Sequence, residues 1–178
     1  MEPGLWARAV PGRRRLGSRS EVTESPDSLE ALRAGVGQSL GVSPWHLITQ
    51  AQVDLFAEAT GDHQWIHVDP SRASSGPFGG TIAHGYLTLS MLPMLLQELV
   101  RVPGVALAVN YGVNRVRFTS PVPIGARVRA AALVKEATEI DGGLQLVLSV
   151  TVEIEGRNKP ACVAETVTRL YRPRPGEE

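Results

Sequence analysis

A carboxylate and an imidazole stand five residues apart in the stretch Gly61-Asp62-His63-Gln64-Trp65-Ile66-His67-Val68-Asp69-Pro70. Placed around one water, such a pair can take a proton from it and return one to a neighbouring carbon. Across a non-helical turn Asp62 and His67 can point into one cleft, with His63 and Asp69 beside them and His84 further on. The spacing alone also describes a capping aspartate and a hydrogen-bonded structural histidine, and it leaves both readings open. The second chemical element is Ile82-Ala83-His84-Gly85-Tyr86, at the head of a long apolar stretch. A helix beginning there offers free backbone N–H groups and the positive end of its dipole. Gly85 lets a ligand approach the backbone closely. That suits a carbonyl oxygen that gains negative charge during reaction. The bland alternative is a glycine that only relieves packing at a helix start.

The elements that must position these residues follow from periodicity. Ser28 is placed to cap a short helix whose Leu29, Leu32 and Val36 share a face; Gly35, Gly37 and Gly41 then break the pattern. Trp45 to Ile48 reads as a short strand. Thr49 is a good N-cap for a helix with Val53, Phe56 and Ala57 inward, and Gly61 ends it directly before Asp62. The run from Ser74 to Gly80 is a flexible connection that can cover a cleft. A single long helix is expected from about Ala83 to Leu99. Its apolar residues go nearly all round the cylinder, so it should be buried on most sides, with a bend at Pro93. From Val105 the period changes to two. Leu107, Val109, Tyr111 and Val113 alternate, and the phase slips near Asn114 to Val116, which predicts a bulge. Val128 to Val134, Leu144 to Ile154 and Ala161 to Tyr171 supply three more strands, two of them joined by a hairpin at Asp141-Gly142-Gly143. The expected class is α+β, an antiparallel sheet wrapped around one long central helix, which covers both apolar surfaces at once. Its edge strands favour pairing with a second copy.

Composition narrows the functional classes. The 178 residues suit one domain, expected over 28–172, between an Arg-rich tail at 1–27 and a loose C-terminal tail at 173–178. The first tail reads as disordered, with an organelle-targeting signal as the alternative. Eighteen basic residues balance eighteen acidic ones, so no global charge points to nucleic acid or an anionic membrane. The longest apolar candidate, Tyr86 to Val100, is interrupted by Thr88, Ser90, Gln97 and Glu98, so no membrane span is expected. A lone cysteine, Cys162, excludes an internal disulfide and a multi-cysteine zinc site. It reads as a small buried hydrophobe in a reducing, cytoplasmic setting. Arg115, Arg117, Arg127 and Arg129 form a solvated sheet face or attract phosphates. No G-x-S-x-G elbow supports a serine hydrolase.

Gly61-Asp62-His63-Gln64-Trp65-Ile66-His67, with Ala83-His84-Gly85 following, resembles the MaoC-like, (R)-specific enoyl-CoA hydratases. The likeness extends over about residues 28–172. It includes the run from Pro77-Phe78 to Gly85, Asn110-Tyr111-Gly112, and Arg115-Val116-Arg117-Phe118. The resemblance implies a hot-dog fold. It implies a homodimer that adds water syn to a trans-2-enoyl-CoA to give an (R)-3-hydroxyacyl-CoA, without metal or redox cofactor. The catalytic pair then falls on Asp62 and His67, and the oxyanion glycine on Gly85. Gln64, His84 and Ser90 are further candidates for contact with substrate. Gln64 and Trp65 stand where the family commonly has Asn and Pro; the Gln64 amide can position the aspartate, and Trp65 can wall the cleft. The likeness also argues against reading His63, His67 and His84 with Asp69 as a metal site. A full-length central helix in a single unit implies short to medium acyl chains, carried on coenzyme A or on acyl carrier protein. Two rival readings stay in view: a hot-dog thioesterase, and a non-catalytic acyl-thioester-binding partner subunit.

Overall fold

The computed structural model describes residues 26–174. The sequence-based expectations for the two chain ends fall almost entirely outside them. In chain order the elements are α1 (Leu29–Ala34), β1 (Ser39–Val42), β2 (His46–Leu47), α2 (Gln50–Thr60), α3 (Trp65–Val68), α4 (Pro70–Ser74), α5 (Gly85–Ser90), α6 (Leu92–Gln97), β3 (Leu107–Phe118), β4 (Arg127–Ile140), β5 (Gly143–Ile154) and β6 (Cys162–Tyr171). All strand pairs are antiparallel, in the order β1-β4-β5-β6-β3, with β2 also on β4. β3 therefore crosses to the far side of β6 rather than pairing with β4, its neighbour in sequence. The crossing segment is tied in by an isolated bridge between Ile82 and Pro123. This is the expected α+β hot-dog architecture.

Local chemistry sets the element ends. The Ser28 hydroxyl accepts from Ala31 N–H at the head of α1. Val36 lies past the end of that helix and is exposed, not on its buried face. Thr49 and Gln52 form a reciprocal capping box on α2, which satisfies two orphan donors. In α2, Val53 and Ala57 are buried and Leu55 faces water.

The single long helix is replaced by two short ones. α5 ends at Ser90 and α6 starts at Leu92, with Met91 between them. Pro93 has no N–H to give to the carbonyl four residues earlier, so the helical ladder cannot run through it. It sits in the first turn of α6, where that donor is not needed. Nor is the pair of helices buried all round. Leu92, Leu95 and Leu99 are buried against the sheet, whereas Tyr86 is 68 % and Met94 42 % exposed. α5 touches β6 and α6 touches β4, so the two cross the sheet obliquely. The core lies between them and the inward residues of β4, β5 and β6. Among the described residues no helix is long and apolar enough to cross a membrane.

β3 carries two register shifts, at Asn110/Gly112 and Val113/Arg115, where the sequence predicts one. As an edge strand it is exposed on both faces, and Leu107, Val109, Tyr111 and Val113 stand in the open. On the outer face Arg127 forms a two-bond ion pair with Glu155. Arg129 pairs with Glu153 at 2.7 Å and covers the Trp45 ring at 4.4 Å. Those two arginines are structural surface groups. Cys162 is fully buried, and burial pushes its thiol up to about 11.

Candidate active site

Asp62 reaches its position through a glycine turn. α2 ends on Gly61 at φ +76°, and the Gly61 N–H closes the helix on the Ala57 carbonyl. A side chain at that φ would be strained. The chain then reverses, and α3 carries His67 inward, where it is 7 % exposed. His67 Nδ1 lies 2.8 Å from the Ile82 carbonyl. A carbonyl only accepts, so Nδ1 carries the hydrogen, and Nε2 holds the lone pair of the neutral ring.

His84 is more deeply buried, at 2 %. Its Nε2–H donates to the backbone carbonyl of Asp62 at 2.9 Å, and the same nitrogen is 4.0 Å from Asp62 Oδ2. The rings of His67 and His84 stack with centroids 3.8 Å apart, and Phe56 closes the other side of His84 at 5.0 Å. Burial pushes His67 below its ordinary value. The carbonyl of Ile82 opposes this, His84 adds to it, and Asp62 opposes it weakly. One nitrogen or carboxylate oxygen from each of Asp62, His67 and His84 lies within 4.8 Å of the others. The rings are stacked, and each already gives one nitrogen to a carbonyl.

A clamp remote in sequence holds His67 from behind. The Gln50 side-chain amide donates to the His67 carbonyl at 2.7 Å and to Asp54 at 2.8 Å, while its oxygen accepts from the Thr81 hydroxyl at 2.7 Å. Thr81 precedes Ile82, whose carbonyl fixes the His67 ring. One glutamine thus joins both segments that orient the imidazole. Nothing local to Gln50 reveals this, since it is only the first residue of a surface helix.

His67 opens onto a cleft of about 240 Å³ whose lining includes Ile82, Gly85, Thr88, Phe118 and Ala161. Gly85 is the first residue of α5, with no side-chain cap from His84. The Phe118 ring lies against it, where an added Cβ would come within 2.7 Å of Cδ2. Asp62 is 53 % exposed and stands outside that lining.

The other expected residues are placed as follows. The Gln64 side chain has no part in the cluster; its backbone N–H donates to Asp62 Oδ1 at 3.4 Å. Ser90 lines a separate apolar cavity beyond the cleft. Trp65 does not line the cleft: its ring lies against Gly76 and under Arg72. His63 is exposed beside Glu58. Asp69 caps α4 by accepting from Arg72 N–H at 2.9 Å.

The shift of His67 gives a stability prediction. On acidification below about 6.5 the unfolded imidazole takes a proton while the buried one stays neutral. The unfolded state then binds more protons, so stability falls as pH drops through that window. Urea midpoints at pH 7.5, 6.5 and 5.5 should decline, and His67→Gln should flatten the decline. An equal slope in both proteins would remove this account.

Residues 32–156 match the model of the MaoC like domain. The chain is 54 % identical over 144 residues to 3-hydroxyacyl-thioester dehydratase Z of Mycobacterium tuberculosis, covering 80 % of this chain and 95 % of that one. It is 47 % identical over 145 residues to nodulation protein N of Rhizobium leguminosarum bv. viciae, covering 79 % and 89 %. The structure superposes on the (R)-hydratase from A. caviae involved in PHA biosynthesis with a TM-score of 0.62 and 27 % identity, covering 76 % of this chain and 96 % of that one. By its fold and by a family match over most of its length, the chain belongs to the MaoC-like domain family and is an enzyme of the hydratase–dehydratase class, a lyase.

Proposed function

We propose that the protein, through residues 28–172, adds water reversibly to trans-2-enoyl thioesters to give (R)-3-hydroxyacyl thioesters, with Asp62 and His67 as the acid–base pair. The observation that carries this is His67, whose Nδ1–H is held by the Ile82 carbonyl and which opens on the same cleft as Gly85. The Asp62 carboxylate and His67 Nε2 hold one water between them. His67 Nε2 removes a proton from it as the oxygen bonds to carbon 3. The electron pair of the double bond shifts towards the thioester, and the Gly85 N–H meets the charge that forms on the carbonyl oxygen. The imidazolium then returns a proton to carbon 2 on the same face, which gives syn addition. Atoms and charge balance with water alone. His84 holds the Asp62 backbone and packs on His67. The test is the loss of conjugated enoyl-thioester absorbance with crotonyl-CoA. Rapid loss without release of free thiol supports hydration; release of thiol would make the protein a thioesterase. No change with coenzyme A or carrier-protein thioesters would leave a binding subunit.

The active form is proposed to be a homodimer joined along β3. That strand leaves one edge unpaired and exposes Leu107, Val109 and Tyr111, an arrangement that invites a second strand. In sedimentation velocity the wild type should run as a dimer. The variant Leu107→Lys/Val109→Lys should shift to monomer at the same concentration. A wild-type monomer would refute the β3 interface.

A further inference from the structure

Beyond the reaction cleft lies a second cavity of about 220 Å³, with Leu89, Leu92, Leu96, Val113, Thr166 and Thr168 among its lining residues. The two adjoin along the same elements. Thr88 faces the cleft and Leu89 the cavity; Phe118 borders the cleft and Val113, on the same strand, the cavity. Ala161, just before β6, and Thr166 within it stand in the same relation. The cavity thus stands next to the cleft along these elements, and its walls are mostly apolar.

Ser90, Asn110, Thr166 and Thr168 bring polar groups to that lining, and one of them is distinct. Thr166 is nine-tenths buried, and its hydroxyl has no hydrogen-bond partner. Its cross-strand neighbours are Leu148 and Val113, whose side chains offer it nothing. Among the described residues only one other buried side-chain atom is unpartnered, His84 Nδ1 in the acid–base cluster. Of the two, Thr166 is the one whose residue lines a cavity. A buried hydroxyl without a partner is destabilising, and valine would fill the same space without that cost. The hydroxyl is explained by a partner that arrives with the ligand.

We infer that the second cavity receives an acyl tail that bears an oxygen, and that Thr166 is the residue that selects it. The inference rests on the enoyl-thioester reading of the adjoining cleft. Leu89 to Leu96 lie roughly 6–16 Å past Gly85 along the helices. The oxygen therefore belongs near the far end of a medium-length tail and not on the reacting carbons. A hydroxyl or a keto group suits Thr166, which can both donate and accept.

Unreactive saturated thioesters separate this from the chemistry. Decanoyl-CoA and ω-hydroxydecanoyl-CoA are titrated by calorimetry into the wild type, Thr166→Val and Thr166→Ser. The wild type should bind the hydroxylated ligand several-fold tighter. Thr166→Val should lose about tenfold on that ligand and nothing on decanoyl-CoA, and Thr166→Ser should keep the preference. Equal affinity for the two ligands in the wild type would overturn the proposal, as would an equal loss on both in Thr166→Val. Crotonyl-CoA turnover by the wild type is measured beside these titrations. Its failure would refute the hydratase reading, while the titrations still decide the role of Thr166.

Discussion

Asp62→Asn should slow crotonyl-CoA hydration by about 10²- to 10⁴-fold and leave the fold intact. The exchange keeps size and shape and removes only the charge. Three contacts show why the backbone should not notice. His84 holds the Asp62 main-chain carbonyl, which asparagine retains. The Gln64 N–H donates to Asp62 Oδ1, which the asparagine oxygen can replace. The side chain is more than half exposed, so no buried charge partner is stranded. In the proposed mechanism, what disappears is the negative charge and one of the two oxygens that hold the attacking water against His67. The loss should fall on kcat, with thermal unfolding close to that of the wild type. Equal rates in the two proteins would place the chemistry on other residues.

Gly85→Ala is the second large effect, expected at about 10²-fold in kcat, the scale of a misplaced oxyanion donor. The added methyl would stand 2.7, 2.8 and 3.0 Å from Cδ2, Cγ and Cε2 of Phe118. These atoms belong to the body of a flat ring, so either the ring swings out or the start of α5 retreats. Phe118 is 44 % exposed and has room to swing, but it borders the cleft and is packed edge-on by Tyr86 at 5.6 Å. Adding Phe118→Ala removes the obstacle. Recovery of rate in the double variant would show that the damage is steric displacement of the N–H. A fully active Gly85→Ala single variant would end the oxyanion assignment.

What could be read in the sequence depended on whether the signal was local. The strands from Leu107 to Tyr171 alternate, with a slip near Asn114, and the caps at Ser28 and Thr49 carry their own chemistry, so these elements lie where they are expected, although β4 runs on to Ile140 past the pattern at Val128 to Val134. The acid–base candidates were legible because Asp62 and His67 are five residues apart on one turn. β1 was not legible: Ser39-Leu40-Gly41-Val42 has too little alternation to announce a strand, and it exists because β4 offers it a partner about ninety residues later. Pro93 signalled a bend, but its position in a first turn, which divides the helix, depends on how Leu92 and Leu95 seat against the sheet. The second layer of the site was the least visible. Gln50 acts on His67 across 17 residues, and His84 on Asp62 across 22. Nothing in the run from Ala161 to Tyr171 sets Thr166 apart from Thr168 in the sequence.

The break at Met91 leaves every cleft residue of this stretch on one side of it. The segment before it carries Gly85 and Thr88 on the cleft. The second cavity, the proposed tail site, is lined from both sides of the break, by Leu89 and Ser90 before it and by Leu92 and Leu96 after it. Because the backbone ladder is interrupted between them, a change of side-chain volume in α6 can be absorbed at the joint without tilting α5. Such a protein can acquire new acyl preferences through substitutions after the break while its turnover machinery stays in register. Tail selectivity and reaction rate would then diverge independently among its descendants.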